Sequence, residues 1–327
     1  MTDDVMDVLS HRYLRVTRVG GAEPRDCVLL MHRSQWTDFA NDESTESLVV
    51  RIDRDGIRVI AEGEGAARAM WVSPSGRVYV VGRFEDVDGL HVGTPDGGSY
   101  RWSRIDLPGF GGRSRVQGVW GLDDDFIFAW GGGAFIVPGD DLTSERALRD
   151  PPVCAHFDGA AWRSVDAPGA ISAVHGSSKE HVVAVGCGLV ARWQWGRWER
   201  MESPIAGSFS FVRVDGEDAL AATFQGELYE GTPHGWRLLT RCERNVWGLA
   251  SWEGQMIVAT KPDGLLRVAG DTVEPLVESF NASCLHAGRA LFWCSTSGLL
   301  GTRDFKTFEE VRDTELGAAL GGEYWAE

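Results

Sequence analysis

One frame recurs along this chain, and it narrows the possible folds more than any other feature. Residues 70–82 read MWVSPSGRVYVVG, residues 119–131 VWGLDDDFIFAWG and residues 174–186 VHGSSKEHVVAVG. In each, Trp or His follows an apolar residue and a glycine stands eleven positions further on: Trp71 and Gly82, Trp120 and Gly131, His175 and Gly186. FVRVDGEDALAAT (211–223) fits the frame through Val212 and Thr223. VWGLASWEGQMIVAT (246–260) fits with two extra turn residues, which sets Trp247 beside Trp71 and Trp120, and CLHAGRALFWCS (284–295) fits with a tighter turn. An apolar run, a polar turn and a β-branched or aromatic run ending on a small residue is the pattern of a β-hairpin.

The segments that follow repeat as well. VCAHFDGAAWRSV (153–165), LVARWQWGRWERM (189–201), GELYEGTPHGWRLL (226–239) and GLLRVAGDTVEPL (264–276) each predict a strand, a tight turn and a strand. Trp162, Trp198 and Trp236 hold matching places in the last of these strands. The unit is four antiparallel strands in about 35–55 residues, within or near the size of a propeller blade. Six units run from residue 67 onward, and YLRVTRV, CVLLMHR, SLVVRID and GIRVIAE, all within 12–64, supply a seventh. The sequence thus predicts an all-β chain folded as a single seven-bladed β-propeller domain over residues 1–327. Six blades plus an N-terminal sheet is the alternative.

With these repeats in view, residues 67–311 resemble degenerate bacterial propeller repeats of the "VWAVG…G…DG..W" type, related to the BNR/Asp-box and photosystem II assembly-factor propellers. TRDFKTF (302–308) looks like an Asp box without its central glycine. The resemblance implies the fold and carries little about activity. The arginine cluster, tyrosine nucleophile and acids of the sialidases in that wider group map onto no positions here.

Composition excludes some partners. Forty-eight acidic side chains against 32 Lys and Arg give a formal net charge of −16, which repels nucleic acid and anionic membranes. The opening MTDDVMDVLSHRY has no basic-then-apolar signal, and no apolar stretch approaches the roughly 18 residues of a membrane span. Cys27, Cys154, Cys187, Cys242, Cys284 and Cys294 lie far apart without a CxxC pair. They read as reduced thiols of a bacterial-type cytoplasmic protein, expected to be a monomer on its own.

The stretch AVHGSSKEHVVAVGCG (173–188) is the nearest thing to an active site, with His175, Ser177, Ser178, Lys179, His181 and Cys187 close in sequence. A catalytic triad needs a base within hydrogen-bond reach of the nucleophile, oriented by a third group. Adjacency along a hairpin supplies none of this, and His175 stands where sister repeats place Trp71 and Trp120, so the stretch reads as architecture. The eight histidines show no HxH or HExxH spacing for zinc. Asp123, Asp124 and Asp125 form a run in a hairpin turn, too few oxygens around one point for calcium. Asn245 and Asn281, near the innermost strands, are the residues that hint at a channel metal. GGG (131–133) precedes AFIV rather than a helix, so it offers no phosphate cradle. No catalytic residue, metal or cofactor is expected.

Departures from the repeat point to the working face. Late blades join their second and third strands by GCG (186–188), FQ (224–225) and KPD (261–263). The early blades spend RSQWTDFANDESTE (33–46), RFEDVDG (83–89) and GGGAFIVPGDDLTSERALRDPP (131–152), and GFGGRSR (109–115) is a long link between blades. Strand alternation puts all of these on one face. They carry Trp36, Asp38, Phe39, Asp42, Glu43, Glu46, Phe84, Glu85, Asp86, Asp88, Asp140 and Asp141. Aromatic anchors among steering charges predict a protein-binding patch for a basic partner. The functional expectation is a non-enzymatic binder or scaffold, in its sharpest form an immunity protein that neutralises a basic toxin. The alternative is a channel-site enzyme such as a calcium-dependent lactonase or a lyase.

Overall fold

The computed structural model describes residues 12–35, 45–84, 87–110, 116–133, 151–232, 235–261, 263–278, 282–295, 298–320 and 323–324. Blade 1 holds β1 (Arg12–Glu23), β2 (Asp26–Gln35), β3 (Glu46–Asp53) and β4 (Gly56–Glu64). Blade 2 holds β5 (Ala67–Val72), β6 (Val78–Phe84), β7 (Val87–Asp96) and β8 (Ser99–Ile105). Blade 3 holds β9 (Val116–Asp123), β10 (Phe126–Gly131), β11 (Val153–Phe157) and β12 (Trp162–Val165). Blade 4 holds β13 (Ile171–Ser178), β14 (His181–Gly186), β15 (Leu189–Gln194) and β16 (Arg197–Met201). Blade 5 holds β17 (Phe209–Asp215), β18 (Asp218–Thr223), β19 (Glu227–Thr232) and β20 (Gly235–Arg241). Blade 6 holds β21 (Val246–Trp252), β22 (Gln255–Thr260), β23 (Gly264–Ala269) and β24 (Thr272–Val277). Blade 7 holds β25 (Ser283–Ala287), β26 (Leu291–Ser295), β27 (Gly298–Thr302) and β28 (Phe308–Arg312), followed by α1 (Asp313–Leu320) and β29 (Glu323–Tyr324). Seven antiparallel meanders in a ring make a seven-bladed β-propeller. The six-blade alternative falls, because residues 12–64 form a complete blade.

The strand patterns follow from burial. A second strand is covered on both faces by neighbouring blades, so it reads as a continuous apolar run. Phe126 through Gly131 are all buried, as are Leu291 through Ser295. Outermost strands such as Ser99–Ile105 are open on one side and mix exposed with half-buried residues. The apolar core is accordingly divided into seven clusters, one at each seam between blades. Trp102, Trp162, Trp198 and Trp236 share one register position in the outermost strands of blades 2 to 5. Trp102 and Trp236 lie across from Gly93 and Gly231, where no Cβ lifts the ring from the sheet. Trp162 and Trp198 instead meet Phe157 and Trp193, with ring centroids 5.5 Å and 5.3 Å apart.

The ladders correct the alignment of the innermost strands. Trp71 pairs with Tyr79, Trp120 with Phe128 and His175 with Val183, each partner three residues before the last paired residue of the second strand. The same rule selects Arg213 opposite Leu220 and Ala250 opposite Ile257, and in blade 7, counted from Ser295 at the turn into β27, His286 opposite Phe292. Val212 and Trp247 therefore do not stand with Trp71. Trp247 instead occupies the break in register between Val246 and Gly248, where an extra residue shifts the count by one. It packs on Phe224 at 5.1 Å, with Lys261 Nζ 4.1 Å from its ring centroid.

At the corrected position, side chains reach from one blade to the next. A Cβ on Gly121 would lie 2.4 Å from the Trp71 ring, and one on Gly176 would lie 3.1 Å from that of Trp120. His175 accepts a hydrogen bond from Val214 N–H at Nδ1 (3.0 Å), Arg213 Nε donates to Leu249 O (2.7 Å) and His286 Nε2 donates to Gly21 O (3.1 Å). Gly121→Ala should cost about 1–3 kcal/mol, as overpacking of a rigid seam does. Urea unfolding would check this, since a midpoint equal to that of the unmodified chain would show that the Trp71 ring has room to move.

Among the described residues no strand is exchanged to complete a shared blade. Blades 1 and 7 are each made of consecutive strands, and β29 instead adds a parallel fifth strand to β1 on its channel side, pairing Tyr13 with Glu323 and Leu14 with Tyr324. Helix α1 seals the seam by placing Leu316 and Leu320 in the cluster of Leu14, Leu29, Leu48, Phe292 and Val311. Arginines tie the rim of the same seam. Arg289 reaches Asp26 at 2.8 Å and Glu23 at 3.4 Å, Arg303 also pairs with Glu23, and Arg25 meets Glu315 at 3.5 Å.

Candidate functional site

Two regions compete for function: the face bearing the long connections, and the central channel. Gly82 pairs with Ala67 and Gly131 with Val116, so each turn between second and third strands lies beside the start of its own first strand. These turns and the links between blades therefore share one face. Its foundation at blades 1 and 2 is tightly tied. Ser47 Oγ donates to Gly65 O (2.6 Å) and accepts from Ala67 N–H (2.8 Å), Gly65 N–H donates to Thr45 O (2.7 Å), and Arg33 Nε holds Glu46 at 2.7 Å. In blade 3, Gly132 and Gly133 take φ of 65° and 68°, a left-handed pair that starts the excursion. That is the physical use of the GGG run.

Most of the expected anchors lie outside the described residues: Trp36, Asp38, Phe39, Asp42, Glu43, Glu85, Asp86, Asp140 and Asp141. The others are placed. Asp88 is exposed, with Arg68 3.7 Å away. Phe84 is a correction. It is 2% exposed, in the cluster of Val28, Leu30 and Val80, and packs edge-on to His91 at 5.3 Å. Its ring is core and presents no surface to a partner. The RFEDVDG stretch is also not a loop, because Arg83 pairs with Asp88 and Phe84 with Val87. Strands β6 and β7 run two rungs past Gly82 and Gly89, leaving Glu85 and Asp86 between their ends.

The opposite face carries the turns between first and second strands, and neighbouring blades clasp there. Ser75 Oγ donates to Asp124 (2.8 Å), Lys179 Nζ lies 3.7 Å from Asp123, and Ser251 Oγ donates to Asp215 (2.6 Å). The aspartate run and Ser177, whose Oγ donates to Gly216 O at 2.7 Å, are thus structural. Trp195, at the turn of β15 and β16 on this face, is 86% exposed with φ of 49°. The degenerate Asp box keeps its turn without glycine. Asp304 Oδ1 accepts from Lys306 N–H, Thr307 N–H and the Thr307 hydroxyl at 2.8–2.9 Å, which hold the Asp304 pKa down to about 2. Phe305 takes the left-handed position (φ 55°), braced against Trp252.

In the channel, the register that yields Arg213 and His286 sets them at one level with His175. Burial, then the charges of Arg213 and His286, hold His175 well below the usual imidazole range. Burial and Arg213 bring His286 down to about 4. A guanidinium without a carboxylate partner opposes a divalent cation at this level. Among the described residues no group of three His, Cys, Asp or Glu is arranged to hold a metal, and Asn281 lies outside them. Asn245 is an exposed residue just before β21. Sequence reading missed Arg213 because its neighbour Val212 filled the aligned position. The apolar Val212 and Val214 on either side, both buried, were the available signal that Arg213 takes the other face of the strand.

No family model and no curated protein matches the chain. Solved structures match its fold. The WD40 β-propeller domain of Doa1 is 10% identical, with a TM-score of 0.56 over 91% of this chain and 97% of that one. A chain of the mitotic checkpoint complex is 11% identical, with a TM-score of 0.55 over 75% and 79%. YCF48 from Cyanidioschyzon merolae is 14% identical, with a TM-score of 0.53 over 85% and 92%. At these identities the likeness is one of fold, that of a β-propeller.

Proposed function

We propose that this propeller is a protein-interaction module whose long-connection face, over blades 1 to 3, takes a basic protein partner. The observation that carries the reading is the β6–β7 ladder, which runs two rungs beyond the frame shared with other blades and ends where Glu85 and Asp86 follow in sequence. The strands that flank the segments 36–44 and 134–150 end on the same face. A paired strand stem that leads into acidic sequence suits electrostatic steering of a basic partner. The similar propellers include a WD40 domain and a chain of a multiprotein complex, which supports a binding role in general terms. The sharper form of the proposal is an inhibitor or immunity protein that covers the active site of a basic toxin in a bacterial cytoplasm. The calcium-lactonase alternative is not carried forward, given Arg213 in the channel.

The test is retrieval from native lysate with the tagged chain and with the triple variant Asp38→Arg, Glu85→Arg, Asp141→Arg, at low and high salt. The expected result is one basic partner, bound at least about tenfold more weakly by the variant and released by salt. Equal retrieval by both chains would remove the acidic face from the account.

A further inference from the structure

The first strands of blades 4, 5 and 7 place His175, Arg213 and His286 at one level of the channel. Arg213 spends Nε on Leu249 O at 2.7 Å. Among the described residues its two terminal amino groups have no hydrogen-bond partner, and no carboxylate pairs with it. Burial pulls its pKa down to about 10, so it is still charged at neutral pH. His175 accepts from Val214 N–H at Nδ1, so its neutral ring carries the proton on Nε2, a donor without a partner among the described residues. His286 spends its Nε2–H on Gly21 O and keeps a bare Nδ1. The Arg213 charge acts on both imidazoles, and His286 acts on His175, so the three share one volume.

A half-buried guanidinium without a counter-ion is an open site for an anion, and proteins pair such charges or bind an anion against them. The available donors also select the anion. Two parallel N–H groups at the end of a guanidinium match a planar carboxylate in a two-point grip. A single positive charge beside two neutral rings balances one negative charge, not the two of a phosphate dianion. We infer that the channel at Arg213 and His175 binds a small carboxylate, gripped by the two terminal amino groups of Arg213 with His175 Nε2–H as third donor.

The experiment is a titration of the full chain with acetate, with chloride and inorganic phosphate at matched ionic strength as comparisons, following histidine ring resonances by NMR. His156, enclosed by Phe126, Phe128 and Trp193 at the seam of blades 3 and 4, is the internal reference. Acetate should shift His175 and His286 saturably and leave His156 in place. Arg213→Met should weaken that response by about tenfold or more, the equivalent of one charge-assisted hydrogen bond, and Arg213→Lys should retain part of it. Non-saturable movement of all three histidines, or an unchanged titration in Arg213→Met, would overturn the site. A stronger response to phosphate than to acetate would overturn the carboxylate assignment. If Arg213→Met does not fold, the contrast between acetate and chloride at His175 of the unmodified chain decides.

Discussion

Replacing both Leu316 and Leu320 by alanine should lower the unfolding free energy by about 5 kcal/mol, since each buried Leu→Ala change costs about 2–5 kcal/mol. Two adjacent truncations share one cavity and add incompletely. These leucines are 0% and 6% exposed and sit among residues of blades 1 and 7. No strand is exchanged between those blades among the described residues, so the helix, β29 and the arginine contacts close the ring where other seams rely on facing sheets and a few side-chain clasps. The damage should therefore be local first. Hydrogen exchange should show faster opening of amides in β1 and β28, while the seam of blades 3 and 4 keeps its protection. A stability loss below about 1 kcal/mol, or uniform loss of protection around the ring, would show that α1 is not the latch.

Acid should weaken the fold in two stages. Burial, with Asp158 acting against it and Lys179 with it, brings His156 to about 4; burial likewise brings His286 to about 4 and holds His175 well below the usual imidazole range. The unfolded chain protonates its histidines near pH 6.5. Because the folded values are depressed, the native state binds fewer protons below that pH. Stability is therefore full above about pH 6.5 and falls as the pH drops toward 4, with a slope of at most about 1.4 kcal/mol per pH unit for each histidine. Three together give up to about 4 kcal/mol per unit. A second stage starts below the usual carboxylate range, where Asp304 and Asp158 lose their bonds. Asp158 is held low by Ala161 N–H, Arg163 and Ala160 N–H. Denaturant midpoints at pH 7, 6 and 5 test the first stage. His156→Leu should flatten it by about a third, and because His156 Nε2 is buried without a partner, it should also stabilise the fold at pH 5. A constant midpoint from pH 7 to pH 5 would contradict the assignment of these histidines as half-buried and neutral.

The architecture was legible because a propeller imposes the same burial on every repeat. Doubly covered second strands become apolar runs, and Trp162, Trp198 and Trp236 mark the outer strands at constant register. The channel was not legible, for a reason visible at Trp247. A bulge shifts the ladder by one residue without altering the look of the strand, so an aromatic at the bulge was aligned with aromatics beyond it. Arg213 was hidden by a shorter hairpin: Asp215 pairs with Asp218 without the extra residue that blades 3 and 4 carry beside this turn, so eleven positions back from Thr223 falls on Val212. Phe84, flanked by Arg83 and Glu85 in sequence, looked like an exposed anchor, yet side chains alternate across a strand and its ring turns into the core. Ring closure was illegible because DTELGAAL is short, and its two buried leucines have meaning only against Leu14 and Val311.

The central claim is that a protein partner docks on the long-connection face of blades 1 to 3. Carboxylate-reactive cross-linking of the retrieved complex, read by mass spectrometry, tests it most directly. Cross-links from Asp38, Asp42, Glu43, Glu85, Asp86 and Asp140 to lysines of the partner are the predicted result. Cross-links gathered instead on the opposite face, at Glu199 and Glu180 around the exposed Trp195, would contradict it and transfer the binding role to that tryptophan.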